Sequence, residues 1–439
     1  MTPNPKIVRS IEKLDYRVTV GDVAAQAGLE LNFAQQGLLA LASEAGGHLQ
    51  VAESGDVVYL FPKNFRSILR NKYWQLRWQK TWQKVWGVLF YLIRISFGII
   101  LIASVLLMLV AIVFLWIAAN SSSDERRGGS NRRYGGGGIY FVPRFWIGDI
   151  YWWFDPGYNR RRRQRRRQAS RDYQMNFLES VFSFLFGDGN PNADLEEHRW
   201  QTIGGIIRSN KGAVTGEQIA PYVDEVDEYE DYMLPVLSRF NGYPEVSPQG
   251  DIIYYFPELQ VMASRRQAEP MSAKGYLQEK LWRFSQARGN QITLAAGLGA
   301  LNIVLALVLN TWIENGNIAT IMSGQAGEEF VLFVASIHWL LLGYGILYLI
   351  IPLVRYFWIQ GRNPKIIKRN QVREQRAIAL NQPDLSLSQK LTYAKQFAGQ
   401  KVISDRDLAY TTEDDLLDQD IRNADKIDRQ WQERLDSDG

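Results

Sequence analysis

The sequence contains no cysteine among its 439 residues. This absence excludes disulfide bonds, thiolate nucleophiles, cysteine-ligated zinc and the ordinary ligation of iron–sulfur clusters. Histidine is scarce, because only His48, His198 and His338 occur and they lie far apart in the chain. A phosphate-binding loop and the short signatures of zinc proteases and serine hydrolases are also missing. We therefore expect a protein that is not an enzyme, with no catalytic residues, no metal site and no cofactor.

Charge and proline are nearly missing from one long stretch. Residues 85–119 contain a single charged residue, Arg94, and no proline. A helix needs roughly 20 apolar residues to cross the hydrocarbon core of a bilayer, so residues 85–119 predict a long transmembrane helix. At about 1.5 Å per residue the stretch would measure about 50 Å, more than a bilayer core. The helix therefore either crosses once and continues into the interface or bends back, and the sequence leaves both open.

Two further apolar stretches, residues 292–313 and 330–359, predict a transmembrane helical hairpin within residues 276–359. The connecting loop, residues 314–329, has no lysine or arginine, whereas basic residues flank both outer ends of the hairpin. The positive-inside rule places those outer ends, and the soluble parts attached to them, on the cytoplasmic side.

Two soluble segments repeat each other at an offset of about 195 residues, which indicates an internal duplication. The first contains VTVGDVAAQAG and ends in ESGDVVYLFP, and the second contains GAVTGEQIAPYVD and ends in SPQGDIIYYFP. Alternating apolar residues around a Gly-Asp turn predict a hairpin at each ending. Helix, strand, helix, helix and hairpin is the order of a winged helix. We therefore predict winged-helix-like modules over residues 1–62 and, with a preceding aromatic helix, over residues 177–258.

The remaining segments are polar or basic. Residues 63–84 predict a basic, tryptophan-rich interfacial helix, and residues 120–176 a Gly/Arg-rich linker with an aromatic interfacial segment. Residues 360–439 predict a polar helical tail that ends in an acidic segment. The predicted fold class is therefore a mainly α membrane protein with about three transmembrane helices and two duplicated winged-helix-like (α+β) soluble modules.

The densest run of charge is RRRRQRRR, residues 160–167. It suits anionic lipid, an acidic protein or nucleic acid, and its tryptophan-rich, membrane-bound surroundings favour lipid or a topology signal. Tryptophan beside lysine and arginine is typical of the headgroup level. The predicted lipid-binding residues are Arg160, Arg161, Arg162, Arg163, Arg165, Arg166, Arg167, Trp74, Trp78 and Trp82.

The second module carries an acidic segment, DEVDEYED, before its second helix. This segment would repel phosphate, and Arg239 is the only basic residue of the helix, so reading of DNA is disfavoured. A basic protein partner would be attracted instead. The predicted partner-binding residues are Asp227, Glu228, Glu230 and Asp231.

Two charged or titratable residues fall within the apolar stretches. We expect Arg94 to extend to the interface or to pair with a carboxylate, while one histidine, His338, does not make a proton relay. DGNPNAD, residues 188–194, lacks the glycine and glutamate of a calcium loop and predicts a helix-breaking turn.

The arginine run, the segment ESVFSFLFGDGNPN and the paired IIYYFP-type endings resemble a family of integral membrane proteins of unknown function from cyanobacteria and plant plastids. Some members are labelled as iron–sulfur cluster biosynthesis proteins. The resemblance covers most of the chain and implies the thylakoid or plasma membrane of a cyanobacterium-like cell. It carries no catalytic residue over to this chain.

These observations support three hypotheses of function. The first is a membrane-anchored scaffold or assembly factor whose two modules dock a protein partner at the surface of an anionic membrane. The second is a membrane-tethered regulator that binds nucleic acid, and the third is a component of an oligomeric transporter or channel. Formation of a homo-oligomer is left open.

Overall fold

A computed structural model describes residues 4–72, 74–124, 175–264, 275–316 and 318–419, with positions 421, 424, 428 and 432. Within these ranges the side chains of residues 70–72, 74–81, 83, 121–124, 315, 319, 320 and 406 are not described. The arginine run and the aromatic part of the predicted linker, residues 125–174, lie outside the described residues.

In the first module, the residue that precedes each of the first two helices caps that helix with its side chain. Asn4 accepts a hydrogen bond from the backbone of Lys6, and Thr19 forms a reciprocal capping box with Asp22 at the next helix. Gly28 and Gly46, both in the left-handed conformation, end the second and third helices. The elements are α1 (Pro5–Lys13), β1 (Arg17–Thr19), α2 (Val20–Ala27), α3 (Leu31–Ala45), β2 (His48–Ala52) and β3 (Val57–Leu60).

The module leads into α4 (Phe65–Lys72) and α5 (Trp74–Asp124). The basic, tryptophan-rich segment from Trp74 onward and the apolar stretch, predicted as separate helices meeting at residue 85, share α5, because no proline interrupts the chain between them. Its apolar part, Lys84–Asn120, has a mean hydropathy of 3.2 and is long enough to cross a membrane.

The second module follows the aromatic helix. Its elements are α6 (Phe177–Phe186), α7 (Leu195–Ser209), β4 (Ala213–Thr215), α8 (Gly216–Ile219), α9 (Leu234–Phe240), β5 (Tyr243–Val246) and β6 (Ile252–Tyr255). Its sheet has the order β4-β6-β5, as β1-β3-β2 has in the first module. Tyr243 pairs with Tyr255 as His48 pairs with Leu60, so the register is the same with both partners displaced by 195 positions (48 to 243, 60 to 255).

A short connection precedes the predicted hairpin. The elements are α10 (Pro257–Gln260), β7 (Val261–Met262), α11 (Gly289–Asn315), α12 (Ile318–Met322), α13 (Glu328–Ser336) and α14 (His338–Asn381). Gly289–Glu314 and His338–Asn381 are long and apolar enough to cross a membrane, with mean hydropathies of 2.4 and 1.8. Together with α5 they give the three long apolar helices that the sequence predicted. The first helix of the hairpin, predicted over residues 292–313, runs from Gly289 to Asn315.

The tail is not entirely helical. After α14 come α15 (Leu385–Phe397), β8 (Lys401–Val402) and β9 (Leu408–Thr411). Strand β9 lies antiparallel on β2 and extends the first sheet to β1-β3-β2-β9, while β8 lies parallel to β7. Such short strands have no pattern of their own and form because a distant edge supplies their hydrogen bonds.

The described chain forms two compact units. The module unit contains Met1–Val88, Gly189–Trp282 and Phe357–Gly439, and the apolar unit contains Leu89–Asp188 and Arg283–Tyr356. In the apolar unit, one core cluster is built from α5, α11, α12, α13 and α14. Its fully buried side chains include Met108, Ala111, Leu115, Leu309, Val331 and Val334.

The two modules pack together through α2 and α7 in the module unit. Gly204 lies against Ala25 so closely that an added Cβ would stand 2.9 Å from the Cα of Ala25. The Asp22 carboxylate is fully buried and pairs with Arg208. A buried ion pair flanked by close backbone packing joins the modules into one body.

Candidate docking surface

The acidic loop, residues 224–231, lies between the short helix α8 and α9. Asp227, Glu228 and Asp231 are exposed, and Tyr229 between them has 83% of its surface exposed. Asp227 accepts a hydrogen bond from the backbone N–H of Asp231 at 2.9 Å, which stabilises the turn. Leu234, the first residue of α9, is 61% exposed. These five side chains, hereafter the docking surface, combine carboxylates with an exposed ring and an apolar chain.

The start of the loop is fixed by arginines. Asp224 pairs with Arg373, whose side chain is 2% exposed, and with Arg199 at 2.7 Å. Burial would raise the pKa of Asp224, but the hydrogen bond from Arg373 and the charges of both arginines outweigh it and lower the pKa. Asp224 therefore remains ionised and joins the loop to α7 and α14.

The end of the loop is fixed by a buried lysine. Glu230 accepts a hydrogen bond from Lys390 of α15 at 2.7 Å and from the hydroxyl of Tyr254 at 2.7 Å. Lys390 also donates to Glu217 at 2.8 Å and has 7% of its side chain exposed. Burial together with the adjacent Glu230 raises the pKa of Tyr254, so its hydroxyl stays protonated. Of the four predicted partner-binding carboxylates, Glu230 thus faces the protein's own tail and the other three face outward.

The helices that would read DNA in a winged helix offer no available basic residue. Arg239, in α9, donates to the carbonyl of Gly28 at 2.6 Å and lies 4.1 Å from the centre of the Trp200 ring. Burial lowers the pKa of Arg239. Helix α3 has no lysine or arginine and exposes Phe33 and Leu39. A partly apolar face without a basic residue suits contact with protein better than contact with phosphate.

Of the predicted lipid-binding residues, the structure describes the side chain of Trp82 alone. Arg160–Arg167 and the side chains of Trp74 and Trp78 lie outside the described residues. Trp82 is on α5 with 63% of its surface exposed.

The charge within the first apolar helix has a partner. Arg94 pairs with Asp188 at 3.2 Å and lies 5.7 Å from the centre of the Phe182 ring. Asp188 also accepts hydrogen bonds from the Ser183 hydroxyl at 2.7 Å and the Gln286 backbone at 2.8 Å. The chain reaches this position because Gly187, with a φ of 77°, ends α6. Arg94 therefore pairs with a carboxylate, one of the two outcomes that the sequence left open.

Among the described residues no group of three histidine, aspartate or glutamate side chains could hold a metal ion. His338 is buried, and its Nδ1 lies 2.7 Å from the carbonyl oxygen of Ala335, which makes it a local contact at the start of α14.

Sequence reasoning missed a set of asparagine contacts. The side chain of Asn363 in α14 forms hydrogen bonds with both the backbone N–H and the carbonyl of Trp282, at 2.9 and 3.0 Å. Asn370 forms the same pair of bonds with the backbone of Glu279, at 2.9 and 2.8 Å. Asn192 does the same to Lys280 at 2.8 Å. These contacts replace helical hydrogen bonds, which explains why the segment before Gly289 is not helical. The seven-residue spacing of Asn363 and Asn370, which puts both on one helix face, was the available signal.

Comparisons with known proteins give one informative match. The chain is 38% identical over 444 aligned positions to an uncharacterised chloroplastic protein of Arabidopsis thaliana, covering 98% of this chain and 82% of that protein. No family model matches the chain. No solved structure matches it either.

Proposed function

The chain belongs to the family of this chloroplastic plant protein, and from that premise we propose that it is a membrane-anchored scaffold or assembly factor. Its two modules dock a protein partner at the surface of a photosynthetic membrane. Location in a plastid membrane agrees with the chloroplastic relative, and the thylakoid or plasma membrane of a cyanobacterium is part of the proposal. An iron–sulfur role would have to be indirect, since the chain has no cysteine to ligate a cluster.

Anchoring is supported by the three long apolar helices. Each contains an apolar window long enough for a bilayer core, and the apolar side chains on their surfaces are largely exposed in the isolated chain. The two modules lie in one compact unit, which supports their location on the same face of the membrane.

We propose that the modules are duplicated winged helices. The common element order and the common sheet register, displaced by 195 positions, support descent from one ancestor. In this protein the two helices that correspond to the reading helix of a winged helix, α3 and α9, lack an available basic side chain within the described residues, so the modules act in protein docking.

The observation that carries the docking role is the construction of the acidic loop. Its ends are fixed by ion pairs to Arg373 and Lys390, while Asp227, Glu228 and Asp231 remain exposed around Tyr229. Fixing a loop before binding lowers the entropy lost on association. An exposed tyrosine surrounded by carboxylates suits a basic partner segment with an apolar or cationic group for the ring.

The test is affinity purification of the tagged full-length chain after gentle solubilisation and nuclease treatment. The docking variant carries Asp227→Lys, Glu228→Lys and Asp231→Lys. The control variant makes the same change of charge at three other exposed positions of the module unit, Glu374→Lys, Glu413→Lys and Asp418→Lys. We expect the wild type and the control to retain a stoichiometric protein partner and the docking variant to lose it.

Two outcomes would overturn the proposal. One is retention of the same partner by the docking variant. The other is that the wild type yields only nucleic acid, which disappears on nuclease treatment.

A further inference from the structure

Helix α14 changes abruptly from apolar to polar. Between His338 and Gly361 its one charged residue is Arg355, which donates to the carbonyls of Ser183 and Phe184. Arg362 is therefore the first charged residue after the apolar part of α14. If α14 crosses a bilayer, as proposed above, Arg362 lies at the level of the lipid headgroups.

Two tryptophans hold the Arg362 guanidinium. Trp282 and Trp358 meet edge to face, with ring centres 5.0 Å apart and planes at 81°. The Cζ atom of Arg362 lies 4.9 Å from the Trp358 ring centre and 5.1 Å from that of Trp282. Trp358 and Arg362 are four residues apart on α14, and Trp282 is fixed by both hydrogen bonds to Asn363. The guanidinium is thus preorganised by rings on two separate segments.

Arg362 differs from the other arginines of α14. Arg355, Arg369, Arg373 and Arg376 each donate to a carbonyl or carboxylate of the protein. Arg362 has neither a hydrogen-bond acceptor nor a carboxylate partner within the part of the chain that the structure describes. Contact with the faces of aromatic rings leaves the N–H groups at the guanidinium edge free, and that edge matches two oxygens of a phosphate.

We propose that Arg362, Trp282 and Trp358 form a binding site for the phosphate of an anionic lipid headgroup. Arg362 donates two parallel hydrogen bonds to the phosphate oxygens. Phe357, 64% exposed, and Trp358, 47% exposed, offer apolar surface to the start of the acyl chains. This adjacent apolar surface favours a lipid over free phosphate.

The site rests on membrane insertion of α14 and is independent of partner docking at the acidic loop. Loss of lipid binding would leave capture of a partner intact, and failure to capture a partner would leave lipid binding intact. The two proposals can therefore fail separately.

The test is native mass spectrometry of the full-length protein in neutral detergent, titrated with phosphatidylglycerol and, separately, phosphatidylcholine. Arg362→Gln removes one charge and the planar fork, whereas the control Lys365→Gln removes one charge from the same exposed helix surface. We expect Arg362→Gln to weaken binding of phosphatidylglycerol about tenfold, as for loss of a charge-assisted pair, and Lys365→Gln about twofold. Arg362→Lys, which keeps the charge without the fork, should also lose several-fold.

Three results would overturn the proposal. Equal losses in Arg362→Gln and Lys365→Gln would mean attraction by diffuse charge without a site. Displacement of the lipid by millimolar inorganic phosphate would mean a site for the free anion. Equal binding of phosphatidylglycerol and phosphatidylcholine by the wild type would mean that headgroup charge is not recognised.

Discussion

Lys390 shows how a single residue connects the tail to the acidic loop. Burial would lower the pKa of this lysine, but hydrogen bonds and charges from Glu217 and Glu230 outweigh burial and raise it. The lysine therefore stays charged in a nearly closed environment. Its two carboxylate partners lie more than 150 positions away in sequence, so no local pattern could have predicted the contact.

Replacing Lys390 by methionine should destabilise the module unit strongly. Glu230, with 15% of its side chain exposed, would be left without its cation. Removing one partner of a buried ion pair costs about 3–5 kcal/mol. Chemical denaturation of the purified protein would measure the free energy of unfolding. Lys395→Met, at an exposed position of the same helix, is the control and should change it by about 0.5 kcal/mol or less. Equal effects of the two substitutions would contradict the structural role of Lys390.

Glu279 makes stability depend on acid pH. A hydrogen bond from Arg369 and the charges of Arg373 and Arg369 lower the pKa of Glu279, against an opposing effect of burial. The pKa of the folded state is therefore below the unfolded value of 4.5. Its contribution to stability is complete above the unfolded pKa and is lost as the pH falls through the folded pKa.

We therefore predict that the melting temperature falls as the pH is lowered below about 4.5. Glu279→Gln should lower the melting temperature at pH 7 and make its decline in acid shallower. Glu374→Gln, at an exposed position of α14, should leave both unchanged. Thermal unfolding at a series of pH values measures this, and an undiminished acid slope in Glu279→Gln would refute the assignment.

Among the elements, those with their own start and stop signals were predictable. The Gly-Asp turns predicted both hairpins. In the structure Gly55 and Gly250 adopt φ values of 85° and 93°, a backbone conformation that favours glycine and explains why this residue marks both turns. Apolar length predicted the three long helices. Strands β8 and β9 were not predicted, because two to four residues carry no usable periodicity and their partners are distant in the chain. The asparagine contacts were not predicted either, because asparagine has many ordinary roles and the partners of these side chains are distant in the chain.

Strand β9 covers the edge of the first sheet. An exposed edge strand offers unpaired backbone groups to other chains. We predict that a chain ending at Ile403, which lacks β9, associates with itself through β2, whereas a chain ending at Thr412, which keeps β9, does not. Size-exclusion chromatography with light scattering compares the two in the same detergent. A chain ending at Ile403 with the mass of the full-length protein would show that the edge needs no cover.

At the scale of the whole molecule, both modules lie in one compact unit, which supports the proposal that they occupy the same face of the membrane. Charge placed both modules on one side, but the count of apolar stretches did not settle the path between them. The Asp22–Arg208 ion pair, the Gly204–Ala25 contact and the strand β9 tie both modules and the tail into one unit. Residue composition alone could not predict this union, because it depends on shape matching between α2 and α7.

The most direct test of the account is to map which face of the membrane each part occupies. The chain has no cysteine, so single cysteines can be introduced at exposed serines: Ser43→Cys in the first module, Ser238→Cys in the second, Ser388→Cys in the tail and Ser323→Cys between α12 and α13. A membrane-impermeant maleimide is then applied to sealed vesicles. We predict that the first three positions react from one face and the fourth from the opposite face. Labelling of the two modules from opposite faces would contradict the central claim that they form one membrane-anchored platform.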